Sequence, residues 1–183
     1  MDERERFTAL LRKVGGKAYN FAYQLSGNDA DARDLVQEAA VRAYENMARY
    51  DSTRPFDAWL LTILRNIFID WRRRAALRQA ESLDAVPVGA EASFEEILAD
   101  PGPDPEVAAL RDAAAAEVQR ALSSLPEHYR ATVVLSDMEG LPYDDIAEVL
   151  DVPVGTVRSR IHTGRRLLRR ALAETAGETY GQA

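Results

Sequence analysis

The 183-residue chain has no cysteine, which excludes disulfides, thiolate metal sites and a thiol redox switch of its own. It has only two histidines, His128 and His162, too few to suggest an imidazole metal centre. No apolar run reaches the length of a membrane span, and no segment near Met1 has the charged start and apolar stretch of a signal peptide. A cytoplasmic protein without membrane insertion is expected. A phosphate-cradling glycine loop is missing, as is any serine or cysteine nucleophile motif. Asp144 and Asp145 are adjacent, so on a helix they point apart and make a poor metal site. Asp29, Asp31 and Asp34 lack the rest of a ligand set. These absences predict no enzyme, no cofactor, no metal and no small-molecule substrate.

What remains is helical. Apolar residues recur at three and four throughout, and no stretch alternates as a strand would. Helices are predicted over Glu3 to Leu25, with Gly15-Gly16 as a break or kink, and over Asp29 to Ala48. Ser26-Gly27-Asn28 supplies turn chemistry between them. On the second helix Leu35, Val36, Ala39, Ala43, Tyr44 and Met47 form the apolar side. A polar loop, Arg49 to Pro55, leads into the most strongly patterned helix, Phe56 to Leu77. Its core is expected at Phe56, Trp59, Leu60, Ile63, Leu64, Ile67, Phe68 and Trp71. Further helices are expected over Val107 to Leu122, Glu127 to Met138 and Tyr143 to Leu150, and from Val154 to Arg170.

A net charge of −7 argues against tight autonomous binding to nucleic acid. The charge is unevenly spread. Residues 1–80 carry 14 basic and 11 acidic side chains, residues 81–106 none and eight, and residues 107–183 nine and 11. The acidic middle also holds Pro87, Pro101, Pro103 and Pro105, a composition that predicts an extended tether. The expected organisation is all-α. Two small helical domains, residues 1–80 and 107–176, are joined by a flexible acidic linker, 81–106, and followed by a frayed tail, 177–183.

The stretch Leu141 to Ala173 has the spacing of a helix-turn-helix. Ala147 is small where two helices would cross, Asp151 stands four residues later at the turn, and Val157 buries the second helix. Many such turns carry glycine; aspartate visits the left-handed region more readily than most residues. Val157, Ile161, Gly164 and Leu168 form one stripe of the second helix. Arg158, Ser159, His162, Arg165, Arg166 and Arg169 form the opposite face, with no carboxylate between Asp151 and Glu174. Such a face suits DNA, although a solvated arginine surface on a plain helical hairpin has the same spacing.

The run Pro153-Val154-Gly155-Thr156-Val157-Arg158-Ser159-Arg160 resembles the C-terminal domain of bacterial sigma factors of the extracytoplasmic-function group (group 4). The resemblance extends to Asp31 through Glu38, similar to that family's polymerase-binding helix, and to Phe56 through Arg74, similar to its minus-ten recognition region. It implies a sigma factor that binds core RNA polymerase and directs promoter-specific transcription. The upstream, minus-thirty-five element would be read by Arg158, Ser159 and His162 at base edges, with Thr156, Arg160, Arg165 and Arg166 on phosphates. Downstream, a base flipped out of the unpaired strand would be held by the loop Tyr50, Asp51, Ser52, Thr53 and Arg54 together with Asn66. Arg65, Arg72 and Arg73 would hold phosphates there. Asp34, Gln37 and Glu38 would dock the polymerase. The acidic linker would either be a solubilising tether or lie along basic walls of that machine, and an anti-sigma factor would be the regulatory partner. The alternative is a stand-alone helix-turn-helix regulator that needs no polymerase.

Overall fold

Seven helices account for the residues that the computed structural model describes, 2–81 and 105–180, with side chains described over 2–77 and 114–174. They are α1 (Glu3–Ser26), α2 (Asp29–Glu45), α3 (Phe56–Glu81), α4 (Pro105–Ser124), α5 (Glu127–Val133), α6 (Tyr143–Leu150) and α7 (Val154–Tyr180). A 3-10 turn, Met47–Arg49, follows α2, and a π-helical turn, Val134–Met138, continues α5. There is no strand among the described residues, as the periodicity predicts. The chain divides into two units, Met1–Ala99 and Asp100–Ala183. Residues 82–104 of the proposed linker and 181–183 of the proposed tail lie outside the described residues.

In the first unit α1, α2 and α3 pack against one another. Gly27 ends α1 at φ 80°, its N–H donating to the Tyr23 carbonyl at 2.8 Å. Asn28 then caps α2, its side chain accepting the Asp31 N–H at 2.8 Å. Glycine takes that left-handed conformation without steric cost, and the asparagine satisfies an orphan donor of the new helix. Phe21, Ala22, Leu35, Val36, Leu60, Leu64 and Ile67 form the centre. The Gly15-Gly16 pair does not break α1, which is continuous; Gly15 is buried, and the packing of α1 on α2 and α3 outweighs its poor helix propensity. Tyr44 also departs from expectation. The residue stays 46% exposed, and its ring meets Phe7 only edge-on, at 5.2 Å.

In the second unit α7 is the central element, packed against α4, α5 and α6. Its stripe is seated as the sequence predicts, with Val157, Ile161 and Gly164 buried and Leu168 half-buried. At Gly164 a Cβ would stand 2.6 Å from Val133 Cγ2 and 3.4 Å from the Tyr129 carbonyl oxygen, so glycine sets how closely α7 approaches α5. Helix α7 also runs on through Tyr180, into residues 177–180 of the expected frayed tail. The segment that leads into it, Ala171 to Ala176, holds three alanines, the best helix former.

Two glycines of α7 therefore respond differently to alanine. Gly164→Ala is expected to destabilise the protein by about 1–3 kcal/mol, because the β-branched Val133 offers little give. Gly155→Ala, which meets nothing within 4 Å, is expected to be neutral or mildly stabilising. Urea unfolding of the two variants checks both signs.

Candidate nucleic-acid interface

Helices α6 and α7 form the hairpin that the spacing of Ala147, Asp151 and Val157 predicts. Ile146 and Val149 of α6 are fully buried, as is Val157 of α7. Asp151 adopts φ 52°, ψ 54°, and is the one non-glycine residue with positive φ among those described. The Val152 N–H then donates back to the Ala147 carbonyl at 3.0 Å, closing the end of α6. The Pro153 carbonyl accepts from Thr156 and Val157 at 2.8 and 3.1 Å, which starts α7. The direction of α7 is thus set by backbone bonds and burial, leaving its other face free for side-chain chemistry.

On that face Arg158, Ser159, His162, Arg165, Arg166 and Arg169 are exposed, while Thr156 and Arg160 are half-buried. The Ser159 hydroxyl donates to the Thr156 carbonyl at 2.9 Å, which leaves its oxygen as an acceptor. Among the described residues Arg158, Arg160, His162 and Arg166 have no ion-pair or side-chain hydrogen-bond partner. Arg165 is different. Its Nε donates to Asp137 Oδ2 at 2.8 Å and its Nη2 to Asp137 Oδ1 at 2.6 Å. The Arg165 hydrogen bonds hold the Asp137 carboxyl below the ordinary carboxylate range. In turn the Asp137 hydrogen bond, with a smaller contribution from Tyr143, raises Arg165. Sequence reasoning missed Asp137. It is one acid among several between Glu127 and Asp145, and nothing in the chain marks it as facing α7.

In the first unit the loop from Tyr50 to Arg54 is internally braced. Asp51 Oδ1 accepts from the Thr53 N–H at 2.9 Å and from the Thr53 hydroxyl at 2.7 Å, and these bonds hold the Asp51 carboxyl low. The Tyr50 hydroxyl donates to the Arg54 carbonyl at 2.7 Å. Beneath this loop the Tyr50 ring packs on Phe56 and Trp59, at centroid distances of 5.3 and 5.0 Å. Burial raises the Tyr50 hydroxyl above its ordinary pKa. Ser52 and Thr53 are exposed at the tip. Asn66 is exposed on α3 and Arg65 half-exposed, and Arg73 is exposed further along; among the described residues none of these three has a partner. Arg72 lies over the Phe68 ring at 5.8 Å.

The polar side of α2 divides the three docking candidates. Asp34 is exposed and Gln37 half-exposed, and neither has a partner among the described residues. Glu38 is already engaged: Oε1 receives Arg42 Nη2 at 2.5 Å and Oε2 receives the Trp71 indole N–H at 2.9 Å. Both contacts lie within this unit, and Trp71 belongs to α3. An expected surface contact is therefore also a tie between two helices. Val41, 51% exposed, lies on the same helix and was not singled out from the sequence.

Among the described residues, no group of three His, Asp or Glu side chains could hold a metal, and no helix is long and apolar enough to cross a membrane. The arrangement thus offers arginine forks, hydroxyls and an amide to a polyanion, with aromatic support under one loop.

Two family descriptions match the chain, Sigma-70 region 2 over residues 10–78 and Sigma-70 region 4 over residues 115–168. The chain is 41% identical to the extracytoplasmic-function RNA polymerase sigma factor SigE of Mycolicibacterium smegmatis, over 93% of its own length and 63% of that protein's. It is 35% identical to SigW of Bacillus subtilis, over 94% of its own length and 91% of that protein's. Among solved structures, the sigma factor RpoE of Bartonella quintana, in complex with the anti-sigma factor NepR, matches in fold with a TM-score of 0.71 at 24% identity, over 92% of this chain and 98% of that one. CnrH, in complex with the cytosolic domain of CnrY, matches with a TM-score of 0.62 at 25% identity, over 93% of this chain and 90% of that one.

The Asp137–Arg165 pair makes stability depend on pH in a defined window. A carboxyl whose folded pKa is depressed adds stability above its unfolded value, near pH 4, and loses that contribution as pH falls through the folded value. Asp137→Asn should therefore be less stable than the native chain at pH 7, with the gap narrowing below about pH 4. Paired urea titrations at pH 7 and pH 3 measure it; an unchanged gap at the two values refutes the assignment.

Proposed function

The chain belongs to the extracytoplasmic-function group of RNA polymerase sigma factors, and from that premise we propose how its parts divide the work of promoter-directed initiation. Helix α2 docks core RNA polymerase through Asp34, Gln37 and Glu38, in charge-assisted contacts. Helix α7 enters the major groove of the upstream element, with Arg158, Ser159 and His162 at base edges. Thr156, Arg160, Arg165 and Arg166 hold the backbone on either side. The loop Tyr50 to Arg54, with Asn66, takes an unpaired base of the downstream element, and Arg65, Arg72 and Arg73 hold its phosphates.

The observation that carries this reading is the braced loop. A flipped base loses pairing and stacking, and a pocket must replace both without ordering itself at the same moment. Asp51, Thr53 and Tyr50 have already closed the loop with hydrogen bonds over Phe56 and Trp59. Exposed side chains at the tip and Asn66 then remain for the base edge. A stand-alone regulator, the alternative, would leave the match over residues 10–78 without a purpose.

The net charge of −7 fits a subunit that meets DNA together with a larger partner. No bond chemistry is assigned to this chain: the polymerase performs the reaction, and the factor selects the DNA, which places it in the cytoplasm. An anti-sigma protein is the proposed regulator, in keeping with the NepR complex of the Bartonella relative. With no cysteine in the chain, any thiol redox sensing would lie in that partner.

Run-off transcription over a genomic fragment library, with purified core polymerase, tests the reading and recovers a promoter. Gel shifts on that promoter should require both proteins. Arg158→Ala should weaken the holoenzyme–promoter complex by about 1–3 kcal/mol while leaving polymerase affinity unchanged. Asp34→Ala should weaken polymerase affinity instead. Nanomolar operator binding by the isolated chain, with no affinity for the polymerase, would overturn the proposal.

A further inference from the structure

We propose that Asp137, which lies outside the helix-turn-helix, is a positioning residue that holds the Arg165 guanidinium ready to receive a DNA phosphate. The inference rests on the reading of α7 as the DNA-facing helix and goes beyond it by naming what prepares one of its contacts.

A guanidinium has five N–H donors in a planar fork. Asp137 occupies two of them, at 2.8 and 2.6 Å, through both of its oxygens, and that bidentate geometry fixes the plane of the group. Asp137 leaves three donors, and the Tyr143 hydroxyl stands beside the group as a weaker neighbour. The Arg165 side chain is 48% exposed and Asp137 31% exposed, so the carboxylate is the more covered partner and the guanidinium the more open one. No other arginine of this face is held in this way among the described residues. Arg158, Arg160 and Arg166 have no partner, and Arg169 reaches only the Arg165 carbonyl, at 3.3 Å. Arg170 pairs with Glu174 on its own helix.

The backbone that delivers Asp137 is unusual. The Glu139 N–H bonds to the Val134 carbonyl, five residues back, at 3.0 Å, and the Leu141 N–H to the Leu135 carbonyl at 2.9 Å. This π-helical turn admits one more residue than an α-helical turn, and the extra residue shifts the register of the chain beyond it. Leu135 and Leu141 stay buried on either side, while Asp137 between them reaches Arg165 on α7. Gly164, the neighbour of Arg165, sets the close approach of α7 to α5, the helix that the π turn continues. The pair is therefore built from two adjoining features of the fold.

The physical consequence is an exchange of attraction for geometry. The carboxylate cancels part of the long-range pull of Arg165 on a phosphate. In return, the rotamer freedom of a long side chain is surrendered on folding and not on DNA binding. Arg165 then acts as a rigid register mark on the backbone, beside the unpaired Arg158 and Arg166.

The test uses the holoenzyme and the promoter recovered by run-off selection, with binding followed across a salt series. Arg165→Ala should weaken the complex about 2- to 10-fold and lower the slope of log K against log salt by about one. Asp137→Ala should weaken it by a similar factor yet keep the wild-type slope, since the arginine still reaches the phosphate. Asp137→Asn, which retains one acceptor oxygen, should fall between. In an Arg165→Ala background Asp137→Ala should add no further loss. Tighter binding by Asp137→Ala would overturn the proposal, as would an equal loss with and without Arg165. If the wild-type holoenzyme yields no run-off product at all, the reading of the whole chain fails first.

Discussion

Burial of one stripe of α7 decides what the rest of the C-terminal unit can do. Val157, Ile161 and Gly164 turn inward against α5 and α6, and Gly164 comes so close to Val133 that no Cβ fits between them. A helix held on one face has its other face determined, because successive side chains are offset by about 100°. Arg158, Ser159, His162 and Arg166 are outward for that reason, and no interaction of their own is needed to place them. The energy that orients them comes from apolar area removed from water and from close packing. None of it has to come from the polar groups, which stay available for a partner.

The N-terminal unit reaches a similar end by a different route. There the stretch proposed to take an unpaired base is a loop, and a loop has no periodic face to fix it. Phe56 and Trp59 at the start of α3 provide an aromatic floor, Tyr50 packs on it, and Asp51 and Thr53 knot the backbone above. Each bond is worth little alone in water, but together they select one loop conformation in advance. The Glu38 carboxylate joins α2 to α3 through Trp71. On the proposed division of labour, a helix that faces the polymerase and a helix that faces DNA therefore share a hydrogen bond. The two proposed functions would then be neighbours in one core, which is a reason for them to occur in one domain.

Two of the three polar residues expected on the α2 docking face, Asp34 and Gln37, keep their groups unengaged among the described residues, whereas Glu38 does not. Arg165 shows the same pattern on α7, with Asp137 as its partner. In both cases the residue type and the helical face are legible in the sequence, and the side-chain partner on another helix is not. Helical periodicity reports which way a residue points; it is silent about which acid or indole the fold brings opposite.

The sequence by itself determined the helices, their apolar stripes, the turn at Asp151 and the cationic face of α7. These depend on local spacing, on the charge of each residue type and on backbone preferences that act within a few residues. The resemblance to sigma factors rested on those same local motifs. Tertiary structure decided the rest. It kept α1 unbroken through Gly15-Gly16, left Tyr44 at the surface, inserted a π-helical turn after Val133 and paired Asp137 with Arg165. Each of these outcomes depends on how near another helix lies, and that distance is set by the sum of many packing contacts scattered along the chain.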